Sequence, residues 1–234
     1  MSVLSLILSV AFAAIPQKST LISARELLSM PEENRYQIVL GQEANFYPGV
    51  LAIAKDEKQS MALRWKAVTM VSKLKTKDSV KDLKTFLSDK DWFMRNSGLI
   101  SLDEISKSEG KLAAKKLLKD KALVVRSAAV QVLSQDLSKE TRDLFWEEMD
   151  SKQNFRMKQS LWVRPQMLKA LSVNPQKHEM ALFVKHLEDK DVLVQESSVA
   201  ALEVISNKKI ESQNLAQKTE AWKKWARSSE AKNL

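Results

Sequence analysis

The 234-residue chain has no cysteine, two histidines, four glycines and five prolines. Without cysteine there are no disulfides, no lipidated cysteine and no thiolate to act as nucleophile or metal ligand. The two histidines, His178 and His186, stand eight residues apart. Glu179 and Glu188 beside them complete no metal-ligand spacing, so both histidines are expected at the surface. Four glycines leave little material for a phosphate-cradling loop, and no G-x-S-x-G, G-x-x-x-x-G-K-S/T or G-x-G-x-x-G occurs. Adjacent carboxylates such as Glu147 and Glu148 point apart on a helix and make a poor acid–base dyad. These absences predict a protein that is not an enzyme and that holds no cofactor and no metal.

Scarce glycine and proline also disfavour a many-turned β fold and favour helices. Hydrophobic residues make up 44% of the chain, enough for a globular core rather than a disordered polymer. Lys+Arg 38 against Asp+Glu 29 gives a formal net charge of +9. Such an excess attracts polyanions in general. Yet the cations are interleaved with acids, as in "KDEK", "KTKDSVKDLK" and "LEDKDV", which is the pattern of solvated helix faces.

The first seventeen residues carry no charged side chain; Lys18 is the earliest. The apolar run "VLSLILSVAFA" ends in Ala11-Phe12-Ala13, a small-x-small site, and Pro16 follows soon after. Residues 1–13 therefore read as a cleavable secretory leader, too short for a membrane span, with a weakly basic start. An apolar first helix of a cytoplasmic protein is the competing reading. The leader predicts a periplasmic or secreted protein with no transmembrane span in the mature chain; the alternative is cytoplasmic.

What the chain has in quantity is repetition. The stretch "DKDWFMRNSGLISL" (Asp89 to Leu102) returns as "DKALVVRSAAVQVL" (Asp120 to Leu133) and as "DKDVLVQESSVAAL" (Asp189 to Leu202). Taking Arg64, Arg95, Arg126, Arg164 and Gln195 as register marks, the spacings are 31, 31, 38 and 31 residues, so one interval carries a seven-residue insertion. Three residues before each mark stand Met61, Trp92, Leu123, Leu161 and Val192; one before, Leu63, Met94, Val125, Val163 and Val194. Four after stand Val68, Leu99, Val130, Leu168 and Val199; seven after, Val71, Leu102, Leu133, Leu171 and Leu202. The position three after is small in four copies (Ala67, Gly98, Ala129, Ser198), with Met167 the exception. These offsets fall on one side of a 3.6-residue helix and predict a buried stripe with room for a close neighbour. Between the marked helices lie second amphipathic segments such as "PGVLAIAK", "SVKDLKTFLS" and "HEMALFVKHLE". A helix pair of this length cannot bury both faces alone, whereas a stack of pairs can.

The repeated stretches resemble the D-x-x-x-x-V-R-x-x-A-x-x-x-L signature of HEAT and short HEAT-like repeats, the kind also found in phycobilisome lyases. The resemblance covers residues 46–206. It implies an all-α, right-handed α-solenoid of about five to six helix pairs with capping helices, forming one domain over residues 14–234. The N-terminal cap is expected at 20–44, with Pro31 opening a helix and Gly41 stopping one, and the C-terminal capping helix at 209–228. There Trp222 and Trp225 are expected to anchor the last core layer. By resemblance, Asp89, Arg95, Asp120, Arg126, Arg164 and Asp189 bond within and between repeats. Lys58 and Lys158 replace the aspartate in two repeats and Gln195 replaces the last arginine, which predicts an incomplete ladder.

In such solenoids the outward side of the marked helices lines a concave surface. Lys66, Thr69, Lys73, Ser97, Ser101, Gln131, Lys169 and Glu196 are expected there, a row of mixed sign suited to a protein or peptide partner. The insertion "SKQNFRM" (Ser151 to Met157) is expected as a polar loop offering Phe155 and Arg156 to a partner. The leading reading is a non-catalytic exported scaffold. The alternative is a nucleic-acid-binding protein similar in architecture to the alkylpurine DNA glycosylases. Net charge +9 and Trp65, Trp92, Trp146 and Trp162 motivate it, while the dispersed charge weighs against it. A chromoprotein lyase or chaperone is a third reading, implied by the resemblance alone.

Overall fold

The computed structural model describes residues 22–228; the suspected leader, residues 1–13, lies outside them. Two short helices open the described chain, α1 (Ala24–Ser29) and α2 (Glu32–Val39). Ser23 caps α1 through a reciprocal capping box with Glu26, which satisfies amides that the first turn would leave bare. Pro31 stands just before α2, and Gly41 takes φ +75° after it, a backbone that glycine adopts without cost. Five helix pairs follow: α3 (Glu43–Lys55) with α4 (Met61–Leu74), α5 (Ser79–Phe86) with α6 (Trp92–Ile105), α7 (Lys107–Leu117) with α8 (Leu123–Leu133), α9 (Lys139–Met149) with α10 (Val163–Val173), and α11 (Met180–His186) with α12 (Val192–Ser206). Helix α13 (Leu215–Ala226) closes the row. Helix α3 begins five residues before the proline of "PGVLAIAK"; Pro48 sits inside it and forgoes one main-chain bond.

The second helices pack side by side along the whole row, α4 on α6, α6 on α8, α8 on α10 and α10 on α12. First helices of neighbouring pairs stand further apart and meet mainly through long side chains, as Lys84 of α5 does with Glu109 of α7. A stack whose second helices are crowded and whose first helices are splayed curves with the second helices inside. This is an all-α, HEAT-like solenoid.

The columns four and seven after each mark are fully enclosed, Leu102, Leu133, Leu171 and Leu202 among them. Each such leucine contributes about 2 kcal/mol by leaving water. The small column allows the close packing it predicts: a Cβ built on Gly98 would lie 3.0 Å from the Cβ of Phe86 on α5. The column three before the mark departs from expectation. Met61, Trp92 and Val192 are exposed, because they are the first residues of α4, α6 and α12 and stand at the turns, beyond the overlap of neighbouring helices. Trp222 and Trp225 are buried edge to face, 4.9 Å apart, where α13 covers α12.

The marks themselves form the second element of cohesion. Arg95 donates through Nε and Nη2 to the two carboxylate oxygens of Asp120 at 2.7 Å each, while Nη1 donates to the carbonyls of Asp89 and Lys90 in its own turn. Arg64 reaches forward to Asp89 and Asp91, and Arg164 to Asp189 at 2.6 Å. All these guanidiniums are buried. Each therefore ties its own turn to the turn of the next repeat.

The gap predicted at Lys158 is closed. Among the described residues no carboxylate bonds Arg126; its Nε donates to Asn154 Oδ1 at 2.9 Å and its Nη2 to the Gln153 carbonyl at 2.7 Å. Its Nη1 donates to the carbonyls of Asp120 and Lys121. The insertion supplies these acceptors. It is not a polar loop but a 3-10 turn (Lys152–Asn154) leading into a hairpin, β1 (Phe155–Arg156) paired with β2 (Gln159–Ser160). At the last mark, Gln195 donates to the Asp189 carbonyl at 2.6 Å and keeps the bond to its own turn.

A second buried pair joins α9 to the turn before α11. Arg142 donates to both carboxylate oxygens of Glu179, which also accepts from Trp146 Nε1 at 2.9 Å and from the Gln176 amide. His186, expected at the surface, is buried instead. Its Nδ1 lies 2.8 Å from the Leu182 carbonyl and its ring lies against Trp146, because α11 turns it inward; His178 is exposed.

Asn154→Ala is expected to strip Arg126 of a buried acceptor and destabilise the fold by about 2 kcal/mol in urea unfolding, while Arg156→Ala, exposed on the same hairpin, shifts it by less than about 0.5 kcal/mol. Acid is expected to loosen the ladder. Burial raises the carboxyls of Asp120, Asp189 and Glu179, but Arg95, Arg164 and Arg142 overcome it and hold all three below their ordinary range. The folded chain then binds fewer protons than the unfolded one, so this stability is complete above the ordinary values of 3.8 and 4.5 and is lost below them. Melting temperature should fall from about pH 5 to about pH 3, less steeply in Asp120→Asn.

Candidate functional site

On a helix advancing 100° per residue, the positions opposite the core stripe lie two before, two after, five after and nine after each mark. Those positions of α4, α6, α8, α10 and α12 form the inner surface. Lys66, Gln131 and Lys169 stand at those positions and are exposed, and Glu196, one after its mark, is exposed at their flank. Thr69 is half-buried and donates to the Trp65 carbonyl; Lys73 is held by Glu104 and lies over the Tyr36 ring. Ser97 and Ser101 correct the expectation: they are only 1% and 2% exposed. Helix α6 is flanked on both sides by α4 and α8, and a serine is too short to reach past the larger side chains that close over it. Ser97 Oγ donates back to the Met94 carbonyl instead.

The inner surface deepens at its C-terminal end. Between α10 and α12 runs a groove of about 590 Å³ lined by Trp162, Pro165, Gln166, Lys169, Ser172, Val173, Leu193, Glu196, Ser197 and Ala200. Trp162, Leu193 and Val173 leave 52%, 57% and 77% of their surfaces exposed, which is costly apolar area for a surface with nothing on it. Lys169 and Glu196 are the two charged residues of the lining, and neither belongs to an ion pair among the described residues. Of the eight expected inner-face residues, the groove brings together these two and leaves Lys66, Thr69, Lys73 and Gln131 on other repeats.

Trp162, Leu193, Val173 and Ala200 were not among the expected site residues. Their signal was legible: apolar side chains at offsets that point away from the core, two before and nine or five after a mark. Phe155 and Arg156 fall outside this groove. Phe155 lies with its ring 4.2 Å from the Arg164 guanidinium, while Arg156 is exposed. Of the tryptophans behind the nucleic-acid alternative, Trp146 is committed to Glu179 and Phe183, Trp65 is half-buried, and Trp92 and Trp162 remain exposed. Among the described residues no three His, Asp or Glu side chains are grouped to hold a metal ion, and no helix is long and apolar enough to cross a membrane.

The family model described as HEAT repeats matches residues 47–142. No curated protein matches the sequence. Among solved structures, YibA of Escherichia coli superposes with a TM-score of 0.52 at 19% identity, over 88% of this chain and 80% of its own. The CpcE–CpcF complex of phycocyanin lyase from a Nostoc species gives 0.42 at 14% identity, over 94% and 99%. Human deoxyhypusine hydroxylase gives 0.36 at 15%, over 80% and 81%. At 19% identity the likeness to YibA is one of fold, and the activities in the other two names belong to those proteins. With its five stacked pairs and its arginine rungs, the chain has the fold of a HEAT-like solenoid, and its residues 47–142 match the model of HEAT repeats.

Proposed function

We propose that the protein is a non-catalytic scaffold that binds a protein partner through the inner face of its solenoid, with the α10–α12 groove as principal contact. The observation behind this reading is the concentration of exposed Trp162, Leu193 and Val173 in one groove between two rigid helices. An apolar helix face or an extended segment would bury those side chains, and Lys169 and Glu196 would fix its direction through opposite charges. Such a site selects an amphipathic segment with one acidic and one basic flank. Nucleic acid is the weaker reading, since Lys66 and Lys169 are the inner face's unpaired lysines at the expected positions and Lys73 is neutralised by Glu104.

We further propose that the chain works outside the cytoplasm, in the periplasm or cell envelope. The uncharged apolar start and the complete absence of cysteine support this. A reporter fused after residue 20 should be exported and cleaved; retention with the leader intact would refute export while leaving the groove reading untouched.

Photo-crosslinkers placed at Gln166 should trap the same partner from native extracts that co-purifies with the full chain. Trp162→Asp with Leu193→Asp should cut that co-purification at least tenfold, while Leu112→Asp, an exposed leucine on α7, should not. Equal capture by all variants would place binding elsewhere.

A further inference from the structure

The hairpin does two things, and the fold requires only one of them. Its base completes the ladder through Asn154, and Phe155 covers Arg164. Its tip has no such duty. The two-residue turn is made by Met157 and Lys158, with φ of +50° and +66°. A hairpin of this length wants positive φ at both positions, which is why Asn-Gly usually fills them. Here two side-chained residues are held in the left-handed region, and Met157 is 89% exposed at the end of the protrusion. Strain retained to present an apolar point on a rigid base is a mark of contact.

The surroundings give that contact a charge. Lys152, Arg156, Lys158 and Lys190 are exposed and form no ion pair among the described residues. Lys152, Lys158 and Lys190 share with Met157 and Phe155 a shallow recess of about 580 Å³, and Val192, also exposed, adjoins Lys158 and Lys190. The nearby acids are mostly engaged. Asp150 bonds Arg164 and Lys185, Asp189 bonds Arg164, and Asp191 caps α12; Glu188 lies 3.8 Å from Lys223. The same repeat offset that exposes Val192 exposes Met61 and Trp92, so apolar points recur along this edge of the solenoid.

We propose that this edge docks on an anionic lipid surface, with Met157 and Val192 entering the headgroup layer and Lys152, Arg156, Lys158 and Lys190 facing the phosphates. A convex tip with apolar points spaced along a line suits a plane better than a cleft. An acidic protein would have to offer a matching trough several repeats long.

The test is co-sedimentation of the full-length chain with vesicles of phosphatidylcholine alone or with about 30% phosphatidylglycerol, at about 50 mM salt. The readout is the excess bound to anionic over neutral vesicles, so that the apolar N-terminal run, common to all variants, cancels. An excess of roughly tenfold or more is expected, falling about fivefold for each cation reversed in Lys158→Glu and Lys190→Glu. Met157→Asn with Lys158→Gly relieves the turn, so the melting temperature should hold or rise while the excess drops several-fold. Leu112→Asp should leave it unchanged. No anionic excess, an excess that survives these substitutions, or binding to immobilised polyglutamate without binding to the vesicles would overturn the proposal.

Discussion

Four buried guanidiniums, on Arg64, Arg95, Arg126 and Arg164, each hold two turns at once, and the rest of the molecule is arranged around that constraint. A buried arginine is tolerable only when its donors are met, and each of these meets acceptors both in its own repeat and in the next. The spacing between repeats is therefore set at the turns by polar geometry and between the helices by the leucine and valine columns. The two constraints act at different depths of the same layer. Where one partner is missing from the sequence, at Lys158, the chain supplies another from seven extra residues. The insertion is thus part of the scaffold before it is anything else.

Much of this was legible in the sequence because repetition turns one weak signal into five readings of the same signal. The marks, the enclosed columns and the small column, which at Gly98 admits α5, follow from period and helical phase, while the buried tryptophan pair of α13 was expected from residue type. What was not legible depends on neighbours that are distant in sequence. The hairpin hides in "NFRMKQS" because two-residue strands with Met-Lys at the turn carry no usual turn signal. Ser97 occupies an outward phase and Ser101 the flank of it, yet both lie beneath their neighbours because α6 is packed between α4 and α8. His186 lacked any cue that α11 would rotate it onto Trp146. In the groove, the charged pair Lys169 and Glu196 was expected and the apolar residues between them were not, although their phase marked them.

The division of labour across the surface follows from the same geometry. Lysines on the first helices mostly answer carboxylates one repeat further on, as Lys84 does with Glu109, Lys111 with Asp136 and Lys115 with Glu140. Such exposed pairs add little stability singly, but they consume much of the positive charge that the composition displays. Net charge thus overstates what is free to attract a polyanion. Four cations that pair with no acid among the described residues stand together at the hairpin edge, while three large exposed apolar side chains share the inner groove, so the two surfaces are suited to different partners.

The central claim is that the rungs, and not the columns alone, bind repeat to repeat. A double-mutant cycle on Arg95 and Asp120, whose side chains are 6% and 7% exposed, measures it most directly. The account predicts that each single alanine variant costs about 3 kcal/mol or more in equilibrium unfolding, with a coupling of at least about 2 kcal/mol between them. A coupling below about 0.5 kcal/mol, with the two losses simply adding, would contradict it.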